Sequence, residues 1–413
     1  MVYTVGGAAT IFTSLITQYI DEAHVRVTDA SPFSGTTTMF VGTDDTDALN
    51  DGVDYISASA LIRTLQLNPG IFLTRTGVNL YKSRTAIRGA GDAGSLWSIS
   101  YPGSVSFPYG MNTGTILVYI GTASINAYTL KVADSVLADD IWNCRASDMS
   151  LEGFGLAGQV FDHRATLRCS FARMTALGTL NNIGSAAWRC GSLPHEANDY
   201  PYGASSRINC TYMNTYTDIV ARGTGGAGMV IGGLATYAGT NTCFCNFTNI
   251  FVADGGNGAL RNETSDDNVF HNLTTNGSLY LKPVSNKTVE TQSFYGVLVQ
   301  GGQIYADGAG SRRNKIYGLS GTDNAVTINI TNSAQLFYDY MGDGGSIADS
   351  TDESLHRTAP LKIAGPHMLD IRVNQDACYT QGGQPTVYNG KIKVKVWSSD
   401  TAFTYKWIQV FDS

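Results

Sequence analysis

The sequence predicts an all-β solenoid, a coil of short strands in which each strand pairs with the one a full turn below. Three observations predict it. Between residues 65 and 92, strands of three to five residues follow one another, each closed by Gly, Asn or Pro. Such strands are too short for a sandwich but suit a coil that climbs. Of 413 residues only 15% are charged, while 46 are Gly and 22 are Tyr, the composition of a turn-rich β protein rather than a helical one. Finally, segments 208–214, 242–246, 268–272 and 314–318 can be laid over one another. Each alternates an inward apolar or Cys side chain with a polar one and ends in Asn or Gly.

Residues 1–43 do not fit the coil; 3–12 and 19–27 read as two strands with an intervening bend. In 44–62, Asp44 and Asp45 precede Ala48, Leu49, Val53, Ile56, Ala60 and Leu61 at near-helical spacing, with carboxylates where the helix dipole favours them. A helix there would cap the apolar open end of the solenoid. From 93 to 345 the rhythm repeats loosely, and Asn214, Asn246, Asn272 and Gly318 are expected to share one corner, where stacked Asn tolerates left-handed φ. The glycine run 223–228 lacks a following helix and reads as a turn of the coil, not a phosphate loop. Beyond Pro360 the strands lengthen (361–363, 368–373, 391–397, 404–410), with Lys on one face and Ile or Val on the other. The expected domains are therefore 1–43, a solenoid with its capping helix at 44–358, and a small antiparallel β domain at 359–413. That last domain would trimerise the chain, or bind carbohydrate through Trp397, Tyr405 or Trp407.

Pro69-Gly70-Ile71-Phe72-Leu73, Thr76-Gly77-Val78-Asn79-Leu80 and Thr85-Ala86-Ile87-Arg88-Gly89-Ala90-Gly91, with Asp44-Asp45-Thr46-Asp47-Ala48-Leu49 upstream, carry a resemblance. They resemble the opening coils of the pectate-lyase-like right-handed parallel β-helix. That resemblance implies the fold and its hand but little chemistry, because the fold hosts lyases, hydrolases and non-enzymatic adhesins. Residues 3–27 are similar to the start of the virion-anchoring segment of short-tailed phage tail fibres and spikes; the alternative is an ordinary hairpin over the open end. Together these imply a phage tailspike or tail fibre: a homotrimer joined to a tail or adaptor protein through 1–43, with a host cell-surface polysaccharide as its ligand.

Charge and cysteines narrow the classes. A net charge of −7 argues against a nucleic-acid partner. No apolar run of 18 residues exists, so no membrane insertion is expected. No basic residue precedes His24, so no secretory signal is expected either, and a chain made in the host cytoplasm and carried on a virion fits. The seven cysteines are odd in number and include no CxxC, which speaks against a disulfide framework or zinc; Cys243-Phe244-Cys245 reads as small residues packed inside the coil. Neither a cofactor nor a metal is expected.

The chemistry is expected on loops. The insertion 188–206 opens with Trp188 and collects His195, Glu196, Asp199, Tyr200 and Tyr202 around two prolines. Carboxylates that exchange protons, beside aromatics that stack on sugars, are what glycosidic hydrolysis needs. A second group is Asp254 with Arg222 and Arg261; sharing the Asn214/Asn246 corner would bring Arg222 into register with Asp254, to lower its pKa or grip an acidic sugar. The expected catalytic residues are Glu196, Asp199 and Asp254, and the expected substrate-binding residues Tyr200, Tyr202, Trp188, Arg222 and Arg261. The reaction expected is polysaccharide depolymerisation by hydrolysis; the alternatives are a non-catalytic receptor-binding spike and a polysaccharide lyase.

Overall fold

The computed structural model describes residues 43–331 except 60, 62, 92–97, 101–103, 107–113, 134–140, 192–210, 233–241, 254–257, 285–287 and 322–325, and beyond that span little more than the strands named below. The chain is a right-handed parallel β-helix. Among the described residues, a fourteen-stranded sheet runs along it, and nine- and seven-stranded sheets complete each turn. One rung is the strand Thr215–Arg222 of the long sheet, Ala227–Ile231 of the second sheet and Thr242–Cys243 of the short sheet. The next rung, Asn246–Ala253, Leu260–Asn262 and Ser265–Asp266, stacks on it in parallel. The Gly run 223–228 turns the chain between Arg222 and Ala227, as the sequence suggests.

The eight-residue strands bend in the middle. Asp148, Arg173, Asp218, Asn249, Asn272, Gly296 and Gly318 stand one above another, all with φ between 51° and 69°. A left-handed residue shifts the in/out alternation by one, so Tyr216 faces inward and so do Ile219 and Ala221. Asp and Asn tolerate this conformation because their short side chains bond locally. Here Asn249 Nδ2 donates to Asp218 Oδ1 at 2.9 Å and Asn272 Nδ2 to Asn249 Oδ1 at 3.0 Å.

Inside, Phe171, Tyr216, Phe247, Phe270 and Phe294 form a column with ring centroids 4.2–5.5 Å apart. Each such pair adds about 1 kcal/mol beyond the area it buries. Directly ahead of the long-sheet strands runs a buried column of Cys144, Cys169, Asn214, Cys245, Asn268, Gln292 and Asn314. Asn214 Oδ1 accepts from Cys169 N at 2.8 Å, and Asn268 Oδ1 from Cys245 N at 2.9 Å. The expected corner is thus corrected. Asn272 and Gly318 share the mid-strand column, whereas Asn214 belongs to the buried one and Asn246 starts a strand. The five described cysteines are buried, Cys144, Cys169 and Cys190 as free thiols; Cys210 and Cys378 lie outside the described residues.

The helix Thr46–Ser57 caps the coil with Leu49, Val53 and Ile56 in the core. Asp45 pins it to the first rung: its backbone N–H donates to Leu73 O at 2.8 Å, and Oδ2 accepts from Leu73 N at 3.0 Å. No helix of the described residues is long and apolar enough to cross a membrane. Before the helix, Val2–Gly6 pairs with Thr10–Ser14 and Thr38–Val41, and Ile16–Asp21 with His24–Val27, more and shorter strands than the two expected. After Leu336–Tyr340 the long sheet continues through Leu361–Ala364 and Met368–Ile371, past residue 359 where the texture of the sequence changes. Lys391–Trp397 and Phe403–Gln409 form an antiparallel hairpin.

Candidate functional site

Along the second sheet, Leu130, Phe161, Trp188, Met229, Leu260 and Leu279 point into the core, as do Val132, His163, Cys190 and Ile231. By alternation the column between them faces outward. It reads Lys131, Asp162, Arg189, Val230, Arg261, Tyr280, Tyr305 and Asn329. Arg164 and Glu263 follow at the strand ends. Although outward, Asp162, Arg164, Arg189 and Glu263 are 0%, 1%, 2% and 5% exposed. Charges this buried are unusual and costly unless paired.

Most of them are paired. Asp162 Oδ2 accepts from Arg164 Nε at 2.8 Å and from Nη2 at 2.7 Å. Arg261 Nη2 donates to Glu263 Oε1, and its Nη1 to Ile183 O at 2.9 Å. Arg189 differs: Nε donates to Gln159 Oε1 and Nη2 to Gly184 O, each at 3.0 Å, and both acceptors are neutral. Its Nη1 and Asp162 Oδ1 are buried without a partner among the described residues. Burial lowers the Arg189 pKa, against the attraction of Glu263 and Asp162. Tyr128, beside this face with Lys131 Nζ 5.2 Å from its ring centre, is raised by burial and by Asp162.

The insertions emerge at the edges of this face. Residues 192–210 separate Cys190 and Gly191 from Thr211, and 233–241 separate Gly232 from Thr242, whereas two residues suffice between Asn262 and Ser265.

Of the expected site residues, Arg261 belongs to this face. Trp188 does not: it is 0% exposed, packed at 4.2 Å from the Phe161 ring, so its indole is a core side chain and unavailable to a surface ligand. The corrected boundary puts Trp188 in the strand Ala186–Cys190, ahead of the insertion. Arg222 stands opposite Ala253, one residue short of the expected register with Asp254. Glu196, Asp199, Tyr200, Tyr202 and Asp254 lie outside the described residues. Lys131, Asp162, Arg164 and Arg189 went unnoticed in the sequence. Their available signal was a charged residue set between large apolar ones, as in Phe161-Asp162-His163-Arg164 and Trp188-Arg189-Cys190.

A second feature is a ladder of rings on the long sheet. His271, Tyr295 and Tyr317 stack up the outside of the long sheet with centroids 5.1 Å apart and planes within 14°. Their faces are spent on one another, leaving edges and hydroxyls outward, and the same holds for Tyr280 and Tyr305 on the second sheet, 4.8 Å apart and 4° from parallel. Among the described residues no group of His, Cys, Asp and Glu is arranged to hold a metal ion.

No protein-family model and no curated protein matches the chain. Solved structures do. The chain is similar to ORF18 of Geobacillus virus E2 (12% identity, TM-score 0.41), covering 87% of this chain and 65% of that one. It is similar to DFA-IIIase from Arthrobacter chlorophenolicus A6 in complex with DFA-III (11%, TM-score 0.40), over 76% of this chain and 82% of that one. It is also similar to the enzymatically active domain of bacteriophage CBA120 tailspike protein 2 (10%, TM-score 0.30), over 75% of this chain and 41% of that one.

Proposed function

We propose that this chain is a phage tailspike or tail fibre whose β-helix binds a host surface polysaccharide (capsule, exopolysaccharide or O-antigen) and depolymerises it by glycosidic hydrolysis. The observation that carries the reading is the outer face of the second sheet. Guanidinium groups, acids and then Tyr280 and Tyr305 lie in one column along the coil axis, where an extended polymer can run across several rungs. The N-terminal segment joins the tail or its adaptor, and the chains associate as a homotrimer carried on the virion.

Hydrolysis needs two carboxyl groups about 5–10 Å apart. Asp162 and Glu263 do not meet this: their strands are three rungs apart, about 14 Å at strand spacing, and each acid is held in an ion pair. The pair therefore falls to the insertions, with Glu196, Asp199 and Asp254 as its members and Tyr200, Tyr202, Arg222 and Arg261 gripping sugar.

The test is to incubate the protein with bacterial capsule or lipopolysaccharide and follow shorter oligosaccharides. Glu196→Gln, Asp199→Asn or Asp254→Asn should lower cleavage by orders of magnitude while binding persists, because each removes a group needed in the transition state. Three amides that all cleave like wild type would remove these acids from the mechanism. A new ultraviolet absorbance would mean lyase chemistry. Binding without cleavage would favour a receptor-binding spike, a reading the ion-paired state of Asp162 and Glu263 supports.

A further inference from the structure

The strands of the short sheet all turn through the same corner. From Asn143 to Arg313, the residue after each of them has φ between 51° and 58°. Such a left-handed position suits Gly, Asn and Asp, costs other residues backbone energy, and is an outlier for a bulky one. Asn143 and Asp267 fit it. Met213 and Phe244 do not, and neither recovers the cost by burial, because they are 42% and 52% exposed. Trp142, in the strand position just before the corner, is 45% exposed. With the half-buried Leu167 and Tyr212 between them, these side chains make an apolar strip over four successive rungs, about 14 Å along the coil axis. Arg168, within the strip, and Asp267, at its upper end, are exposed and polar. The Tyr212 and Phe244 rings meet edge to face, 5.3 Å apart at 63°. Unlike the parallel ladder of His271, Tyr295 and Tyr317, such a pair leaves ring faces uncovered. The strip also has a definite place in the chain. Residues 134–140 lead into the strand of Trp142, 192–210 into that of Tyr212, and 233–241 into the one before Phe244. The rungs reached through two residues, from His163 to Thr166 and from Asn262 to Ser265, instead put Arg168 and Asp267 at the corner.

We propose that Trp142, Tyr212, Met213 and Phe244 form a stacking subsite for pyranose rings of a bound polysaccharide. One face of a pyranose presents C–H groups, which pack on an aromatic face as an apolar side chain does, while the hydroxyls of its rim meet Arg168 and Asp267. Rungs rise about 5 Å each, so Trp142 and the Tyr212–Phe244 pair, two and three rungs above it, hold different sugars of one extended chain. A protein partner fits less well. A stable interface needs roughly 800 Å² from each side, far more than a strip two residues wide and about 14 Å long supplies. The insertion that carries Glu196, Asp199, Tyr200 and Tyr202 rejoins the coil at Thr211, directly before Tyr212 and Met213. The subsite therefore borders that insertion on the side away from the second sheet. The proposal rests on the polysaccharide reading above and adds to it a set of binding residues outside the insertions.

The full chain is applied to an array of bacterial capsular polysaccharides and lipopolysaccharides, and each variant is titrated with a glycan that wild type binds. Trp142→Ala and Phe244→Asn should each weaken binding about fivefold, and the double variant about twentyfold. These losses should be equal at low salt and in 1 M salt, as stacking requires and ion pairing does not. Asn suits the left-handed corner, so Phe244→Asn and Met213→Asn should melt at or above the wild-type temperature. Affinity and stability thus move in opposite directions, which a purely structural role would not produce. Variants that bind like wild type would overturn the subsite and leave the polysaccharide reading intact; a wild type that binds no glycan of the array would overturn both. Lower melting temperatures for Phe244→Asn and Met213→Asn, with affinity per folded molecule unchanged, would make the strip structural and overturn the subsite. So would a fall to a single chain in sedimentation of these variants, which would assign the strip to an interface between copies.

Discussion

Glu152 closes the strand Arg145–Glu152 and is 1% exposed. Oε1 accepts from Phe154 N at 2.7 Å, and Oε2 is buried with no partner among the described residues. Gly178, with φ +77°, is what makes room for it; a Cβ there would sit 1.7 Å from Oε1. Burial pushes the carboxyl up from 4.5 to about 7, against the Phe154 hydrogen bond. A folded-state pKa above the unfolded one means that the stabilising contribution is complete below the unfolded value and is lost as pH rises through the folded one. At about 1.4 kcal/mol for each pH unit, the loss between pH 4.5 and 8.5 is about 3 kcal/mol. Glu152→Gln keeps the acceptor for Phe154 and cannot ionise, though its buried amide N–H groups cost about 1 kcal/mol or more. The variant should therefore melt slightly below wild type at pH 4.5 and above it at pH 8.5. The swing should be roughly 3–4 °C for a chain of this size. Circular dichroism melts at one scan rate, both proteins side by side, measure it. A difference that stays constant with pH, or swings the other way, would show that the carboxylate is charged and compensated in the fold.

Two further outcomes follow from the rungs. Asp148 is held down at about 2 by the hydrogen bond from Arg173, with Ser147 and Arg88 assisting against burial. Its contribution is present above the ordinary carboxylate value and lost as pH falls through about 2. Because both arginines are half exposed, Asp148→Asn should cost only about 1 kcal/mol at pH 7. That cost, read from paired melts, should shrink in 1 M salt and vanish near pH 2. Trp188→Ala should cost about 3–5 kcal/mol of stability and leave polysaccharide affinity per folded molecule unchanged; lost affinity with an intact melting temperature would return the indole to the ligand.

The coil and its cap were legible because their signals are local. Asn68-Pro69-Gly70 and Thr76-Gly77 turn where they should, and Leu49, Val53 and Ile56 lie on one helical face. Register was not legible, for two physical reasons. The left-handed residue in mid-strand, Asp218 or Asn249 for example, reverses the alternation halfway along, so a period-two reading goes out of phase. The corner column also mixes residue types that do the same work. Cys169 Sγ accepts from Cys144 N at 3.3 Å, in the role that Asn268 Oδ1 plays for Cys245 N at 2.9 Å. Looking for Asn above Asn therefore aligned Asn214 with Asn246, when its true neighbours are Cys169 and Cys245.

The charged face was illegible for a related reason. Its members come from successive coils separated by insertions of unequal length, so Lys131, Asp162, Arg189 and Arg261 have no spacing motif. Only register assembles them. Within one strand, however, the logic is strict: Trp188-Arg189-Cys190 cannot put all three side chains on the same side. Placing Trp188 on a ligand would require Arg189 to point into the core, the reverse of what is found. A guanidinium inside a solenoid lumen lined by Phe161, Phe171 and Tyr216 would face aromatic rings. On the outer face it finds Gln159 and Gly184, neutral acceptors for two of its nitrogens. The indole has the larger apolar area to bury, so it takes the lumen. The arginine is left on the outer face of the sheet, buried against Gln159 and Gly184.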